Sequence, residues 1–234
     1  RPGAGRSPCG SPGERGRPHC RTLCFPRRAT HRPLLRDRVA RLCGGLALLA
    51  ALAAQGADPV RLQPLRPLLQ QLRTLDMPAQ LHAVNQFFNT RIEFATDQQA
   101  WGQVDYWASP LEALAKGRGD CEDYAIAKYF SLVAAGMPAA RLRLVYVRAQ
   151  LDDGLPQAHM VLAYHPSGGG DVLILDSLVD EVLPASRRGD LQPVFSFNSE
   201  GLWHGVSSVG AGDPRLRLTR WREVMSKARA EGFL

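Results

Sequence analysis

GDCEDYAIAKYFSLVAAGMP, residues 119–138, is the stretch on which the fold turns. Asp120, Glu122 and Asp123 crowd its start, where carboxylates suit the positive end of a helix dipole, and Gly136 before Pro138 supplies a stop. It therefore reads as a helix with Cys121 in its first turn. Immediately upstream, SPLE at Ser109–Glu112 is a capping box with proline at the first helical position, and Gly117 closes a short helix over 110–116. Further upstream, Pro78 and the apolar set Leu81, Val84, Phe87 and Phe88 predict a helix ending near Asn89, with His82 and Asn85 off its stripe. Leucines 62, 65, 68, 69 and 72 predict another within 58–74, its start restricted by Pro64 and Pro67.

Downstream the period changes. LRLVYVRAQ from 142, AHMVLAYH from 158 and DVLILDS from 171 are short, apolar and β-branched, and turn residues separate them, so they read as strands. HPSGGG at 165–170 joins the last two into an antiparallel hairpin, and Trp221, Val224, Met225 and Ala228 predict a closing helix from about Thr219. Helices first and sheet second give the α+β class, in one domain over 58–234 without internal repeats or long linkers.

The chain of 234 residues is 45% hydrophobic and 22% charged, which suits one globular core, and its net charge is +7. That charge is not spread evenly. Residues 1–53 hold 11 basic and 2 acidic residues, a net of +9, which leaves 18 basic against 20 acidic in the rest. The folded part has no basic stripe to neutralise phosphates, so nucleic-acid binding is not expected. Residues 1–38, rich in Arg, Pro, Gly, Cys and Ser, read as a leader that is disordered or untranslated, with Val39 as the expected start. Residues 39–57, with Arg41 ahead of the apolar run Leu46–Ala54 and small residues after it, read as a secretory signal peptide. The run falls short of a membrane span, so no stable membrane insertion is expected after cleavage.

Of the five cysteines, Cys9, Cys20, Cys24 and Cys43 lie in that leader, which leaves Cys121 as the one thiol of the exported protein. A lone cysteine in an oxidising compartment is either a buried small hydrophobe or a chemical group. At the first turn of a helix, unpaired backbone N–H groups favour a thiolate, and the same groups are the default oxyanion donors. The hairpin supplies partners: folding about residues 167 and 168 sets His159 directly opposite Asp176, close enough for the carboxylate to fix one ring nitrogen, whereas a slip of one in the three-glycine turn would face the two oppositely and leave a strand histidine with an unrelated turn-side aspartate. Against this, Asp120, Glu122 and Asp123 oppose a thiolate. They serve either as helix-start charges or as oxygen ligands for a hard cation such as Ca²⁺, with Asp105 as a further ligand or a loop cap.

WGQVDYWASPLEALAKGRGDCEDYAIAKYFSL, AHMVLAY, LILDSL and DLQPVFSFN with GLW, spread over about residues 75–205, resemble the bacterial transglutaminase-like cysteine proteinases. The resemblance implies a papain-like core with the cysteine helix packed on an antiparallel sheet, Cys121 as nucleophile, His159 as base and Asp176 as its orienting acid. It implies calcium dependence through Asp120, Glu122 and Asp123. It also implies a periplasmic endopeptidase that cuts the N-terminal region of a large surface adhesin and so disperses biofilm, restrained by an inner-membrane receptor for cyclic di-GMP. Trp203 in GLW reads as a core residue or part of that partner surface. Two other readings use the same residues: a transglutaminase-like acyltransferase, in which an amine replaces water, and a calcium-binding interaction module without catalysis. His82, His165 and His204 read as surface or loop residues.

Overall fold

The computed structural model describes residues 65–150 and 154–234. The leader, the signal peptide and residues 58–64 lie outside the described residues. Helix α1, Leu65–Leu72, buries Leu65, Leu68 and Leu72. Helix α2, Met77–Arg91, is capped by Asp76, whose carboxylate accepts a hydrogen bond from the Ala79 amide at 3.1 Å. It outruns the expected end by two residues, and Asn85, expected off the packed stripe, is fully buried and donates to the Asp180 carbonyl.

A two-residue strand β1, Glu93–Phe94, leads into a short helix α3, Asp97–Trp101, which the sequence did not announce. Helix α4, Pro110–Lys116, carries the expected capping box, with Ser109 and Glu112 exchanging hydrogen bonds and Gly117 ending the helix at φ 65°. Strand β2, Arg118–Gly119, pairs in parallel with β1, Glu93 beside Arg118 and Phe94 beside Gly119. This small ribbon brings the start of α3 against the start of α5, Cys121–Ala134. Every residue of α5 from Asp123 to Leu132 is buried, so the helix is enclosed on all sides.

The sheet has seven strands rather than three. β3 (Leu142–Gln150) and β4 (Pro156–Tyr164) form its centre, β5 (Leu173–Leu175) and β6 (Leu183–Pro184) extend one side, and β7 (Leu191–Phe197), β8 (Leu202–His204) and β9 (Gly210–Gly212) the other. The order is β6-β5-β4-β3-β7-β8-β9, with every pairing antiparallel. Alternation divides the two faces. Leu144, Met160, Leu162 and Leu175 join the helix-side core, whereas Val145, Val147, Val161, Ala163 and Ile174 form a second apolar cluster. After the short helix α6, Pro214–Arg217, the closing helix α7, Thr219–Ala230, drives Trp221 into the main core. There Trp221 stacks on Phe130 with ring centroids 5.4 Å apart and meets Tyr129 and Phe197 edge-on. No described helix is long and apolar enough to cross a membrane.

Candidate functional site

The start of α5 and the open end of β4 meet at a cleft of about 500 Å³ whose lining includes Cys121, His159, Glu122, Phe94, Tyr146 and Leu178. Cys121 is half-buried and is the one free cysteine among the described residues. Its thiol donates to Glu122 Oε2 at 2.8 Å. Burial pushes the thiol well above the ordinary cysteine range, Glu122 and Asp120 push it further, and the backbone of Met160, next to His159, acts the other way.

The hairpin register differs from the expected one. Leu162 pairs with Leu175 and Tyr164 with Leu173, so the ladder runs two residues further along than a fold about 167 and 168 would set it. The turn region is longer than a tight hairpin and includes Gly168 and Gly169 in left-handed conformation. A slip of two preserves the face, because side chains alternate with period two. His159 and Asp176 therefore meet as diagonal neighbours, and Nε2 lies 2.7 Å from Oδ1 in a pair that is 5% and 1% exposed. Burial would raise the Asp176 carboxyl, but the His159 contact, the Leu178 amide and Arg188 outweigh it and hold the carboxyl well below its usual range. With Asp176 ionised, Nε2 carries the ring proton and donates, and Nδ1 is the nitrogen left to exchange a proton with a thiol. The Asp176 backbone is held as firmly. Its carbonyl accepts from Lys128 Nζ on α5 at 3.0 Å and from Asn89 Nδ2 on α2 at 2.9 Å. Burial lowers Lys128 to about 7.

The acidic residues separate into two roles. Asp97, Asp120 and Glu122 each offer an oxygen within 4.8 Å of the others. Asp123, expected in this group, instead points inward: Oδ1 accepts from the Ala108 amide at 2.7 Å and Oδ2 faces the Trp101 indole at 3.4 Å. Consecutive helix positions diverge by about 100°, so Asp120, Glu122 and Asp123 do not all face one point. Asp97 fills the place, brought there by the β1–β2 ribbon. Asp105, read as a further ligand or a loop cap, pairs with Arg220 on the surface.

Asp120 starts α5 without a side-chain cap, and its Oδ1 and that of Asp97 are buried without a hydrogen-bond donor. Asp120 is pushed up to about 9, by burial and then by Glu122, Asp123 and Asp97, and Asp97 is raised by burial despite the Tyr106 amide. Burial takes Asp123 to about 7. Orphaned, mutually repelling carboxylate oxygens fit a hard divalent cation, whose charge would offset the repulsion.

Trp203 is half-buried rather than in the core, with the Arg143 guanidinium 3.9 Å from its ring centroid. Its strand neighbour Leu202 takes the inward position. His82 and His204 are exposed and His165 lies half-buried at the hairpin turn.

The family model for the bacterial transglutaminase-like cysteine proteinase BTLCP matches residues 67–190. Legionella pneumophila LapG in an EGTA-treated structure is 43% identical with a TM-score of 0.63, over 72% of this chain and 88% of that one. A second structure of Legionella pneumophila LapG is 43% identical with a TM-score of 0.62, over 72% and 86%. Its calcium-bound structure is 41% identical with a TM-score of 0.60, over 74% and 92%. No curated protein matches the chain. Sequence identity of this order over most of both chains, together with the family match across the cysteine helix and the hairpin, places the chain in the bacterial transglutaminase-like cysteine proteinase family.

Proposed function

We propose that this protein is a calcium-dependent cysteine endopeptidase with Cys121 as nucleophile, His159 as base and Asp176 as the acid that orients it. The observation that carries the reading is the buried His159–Asp176 contact at 2.7 Å, on a cleft that His159 shares with the thiol. His159 Nδ1 takes the thiol proton as Sγ attacks a peptide carbonyl carbon and forms the C–S bond. Backbone N–H groups at the start of α5 are suited to receive the oxyanion. His159 returns the proton to the departing amine as the C–N bond breaks. Water, deprotonated by His159, then resolves the thioester to a carboxylic acid and the free thiol.

Asp97, Asp120 and Glu122 would hold calcium; when bound it supplies positive charge beside the thiol. The orphaned oxygens of Asp97 and Asp120 support this ligand set, and a related protein with a calcium-bound structure supports the choice of ion. Phe94 and Leu178, 61% and 53% exposed at the cleft, offer apolar surface to an extended polypeptide.

The protein substrate on this reading is the N-terminal region of a large surface adhesin. The protease acts in the periplasm after export on a signal peptide, its cleavage disperses biofilm, and an inner-membrane cyclic di-GMP receptor sequesters it. Purified protein incubated with adhesin N-terminal domains and followed by intact mass tests the reaction. Paired fragments that vanish in Cys121→Ala are expected. A mass gain on glutamine without fragments would make the protein an acyltransferase, and full cleavage by Cys121→Ala would overturn the assignment of the thiol.

A further inference from the structure

Asp176 spends its two carboxylate oxygens on different partners. Oδ1 meets His159 Nε2 and accepts the Leu178 amide at 3.0 Å, while Oδ2 accepts from Arg188 Nη2 at 2.7 Å. Arg188 is 5% exposed, and its Nε and Nη2 also reach Asp190 at 3.0 and 2.8 Å. A guanidinium stays charged at any working pH, and its burial is sustained here by a carboxylate on either side. The result is a linear series from the protein surface to the cleft: Asp190, Arg188, Asp176, His159.

His159 and the Leu178 amide both hold Oδ1 and leave Oδ2 without an anchor. A second bond to the other oxygen, from a rigid planar donor, fixes its plane. Lys128 and Asn89 cannot do this, because both hold the Asp176 carbonyl and not its carboxylate. We propose that Arg188 is a positioning residue for the cysteine-peptidase reaction: by locking the Asp176 carboxylate it keeps the His159 ring in the Nε2–H tautomer, with Nδ1 available to the thiol. This rests on the roles given above to Cys121, His159 and Asp176. Arg188 does not itself line the cleft, and of its two hydrogen-bond partners, Asp190 and Asp176, only Asp176 meets His159.

The test uses the full chain loaded with calcium and needs no substrate. Iodoacetamide alkylation at Cys121, read by peptide mass spectrometry, reports how well the histidine activates the thiol, and ¹⁵N spectra of the histidine rings report the His159 tautomer. Arg188→Gln is expected to slow alkylation by about tenfold, less than the roughly hundredfold that an ångström of misplacement can cost, because the Leu178 amide still holds Oδ1. It is also expected to turn the single Nε2–H signal into a tautomer mixture. Asp190→Asn should shift both readouts the same way by less, and the double variant should be no slower than Arg188→Gln, because the residues act in series. A wild-type alkylation rate and an unchanged ring signal in Arg188→Gln would overturn the proposal. Should that variant fail to fold, the same result in Asp190→Asn would do so. His159→Ala separates the two levels: if it also alkylates at the wild-type rate the triad itself has failed, and if it alone is slow only the role of Arg188 has.

Discussion

Removing calcium should make the stability of this protein fall with rising pH. Two unit charges 4.8 Å apart at an effective dielectric near 20 repel by roughly 3.5 kcal/mol, and Asp97, Asp120 and Glu122 all lie within that distance of one another. Burial first, and this repulsion after it, keep a proton on Asp120 in the folded protein, raised from 3.8 to about 9. Between those values the folded state binds a proton that the unfolded chain has released, so stability declines as pH rises, by about 1.4 kcal/mol per pH unit for one such group. From about pH 5 to about pH 7 that amounts to roughly 2.7 kcal/mol, which solvent screening of the part-exposed Asp120 reduces to about 1–2 kcal/mol. With calcium bound the ligand carboxylates stay ionised across this range, and the slope is absent. Urea unfolding of EDTA-stripped and calcium-loaded protein, followed by tryptophan fluorescence, measures the gap between the two. Lys128, lowered to about 7, lies outside the cluster and cancels in that difference, and Asp123, raised to about 7 beside the cluster, slopes the same way as Asp120. The gap should widen by about 1–2 kcal/mol toward neutral pH. A gap that stays constant or narrows would refute the reasoning.

Asp97→Asn should abolish calcium binding measured by calorimetry while leaving the fold intact, whereas Asp123→Ala should cost about 2–3 kcal/mol in urea unfolding, because it strands the buried Ala108 amide. A methyl group on Gly119 would sit against the buried Asp123 side chain, 2.9 Å from its Cβ, so Gly119→Ala should destabilise by about 1–3 kcal/mol and slow Cys121 alkylation. Lys128→Met removes a cation whose folded pKa is depressed to about 7. Burying that charge costs most where the folded lysine is protonated, so the variant should be the more stable protein by about 1–3 kcal/mol near pH 6, and the gap should close as pH rises toward the ordinary lysine range. A gap that grows with pH would count against a buried ammonium.

The elements with strong periodicity were legible from the residues. Helix α4 with its Ser109–Glu112 box, helix α5 from Cys121, strand β3 at 142–150 and helix α7 from Thr219 all fall where the pattern set them. Strands β6 to β9 were not recognised as strands, because Pro184, Pro193, Gly201, Gly205, Gly210 and Gly212 interrupt any alternation there. The proximity of His159 and Asp176 was legible although the register was two residues off, since parity rather than the particular partner decides the face. Asp97 was not legible. Nothing near it signals a ligand, and its place depends on a two-residue parallel pairing too short to leave a pattern. Arg188 escaped for a related reason: in SRRGD it looks like one of several surface arginines, and only the fold shows which one is enclosed.

The β1–β2 ribbon has a mechanical consequence. It stitches the approach to Asp97 to the last residues before Asp120, so two segments more than twenty positions apart share one joint. An ion gripped across that seam would sit beside the Cys121 thiol at the start of the same helix. Occupancy would then act on the sulfur through the field of a nearby charge, with no signal relayed through the body of the molecule. Lengthening the exposed loop at residues 102–104 should be harmless, whereas shifting the alignment of the two short strands by one residue should uncouple ion from thiol.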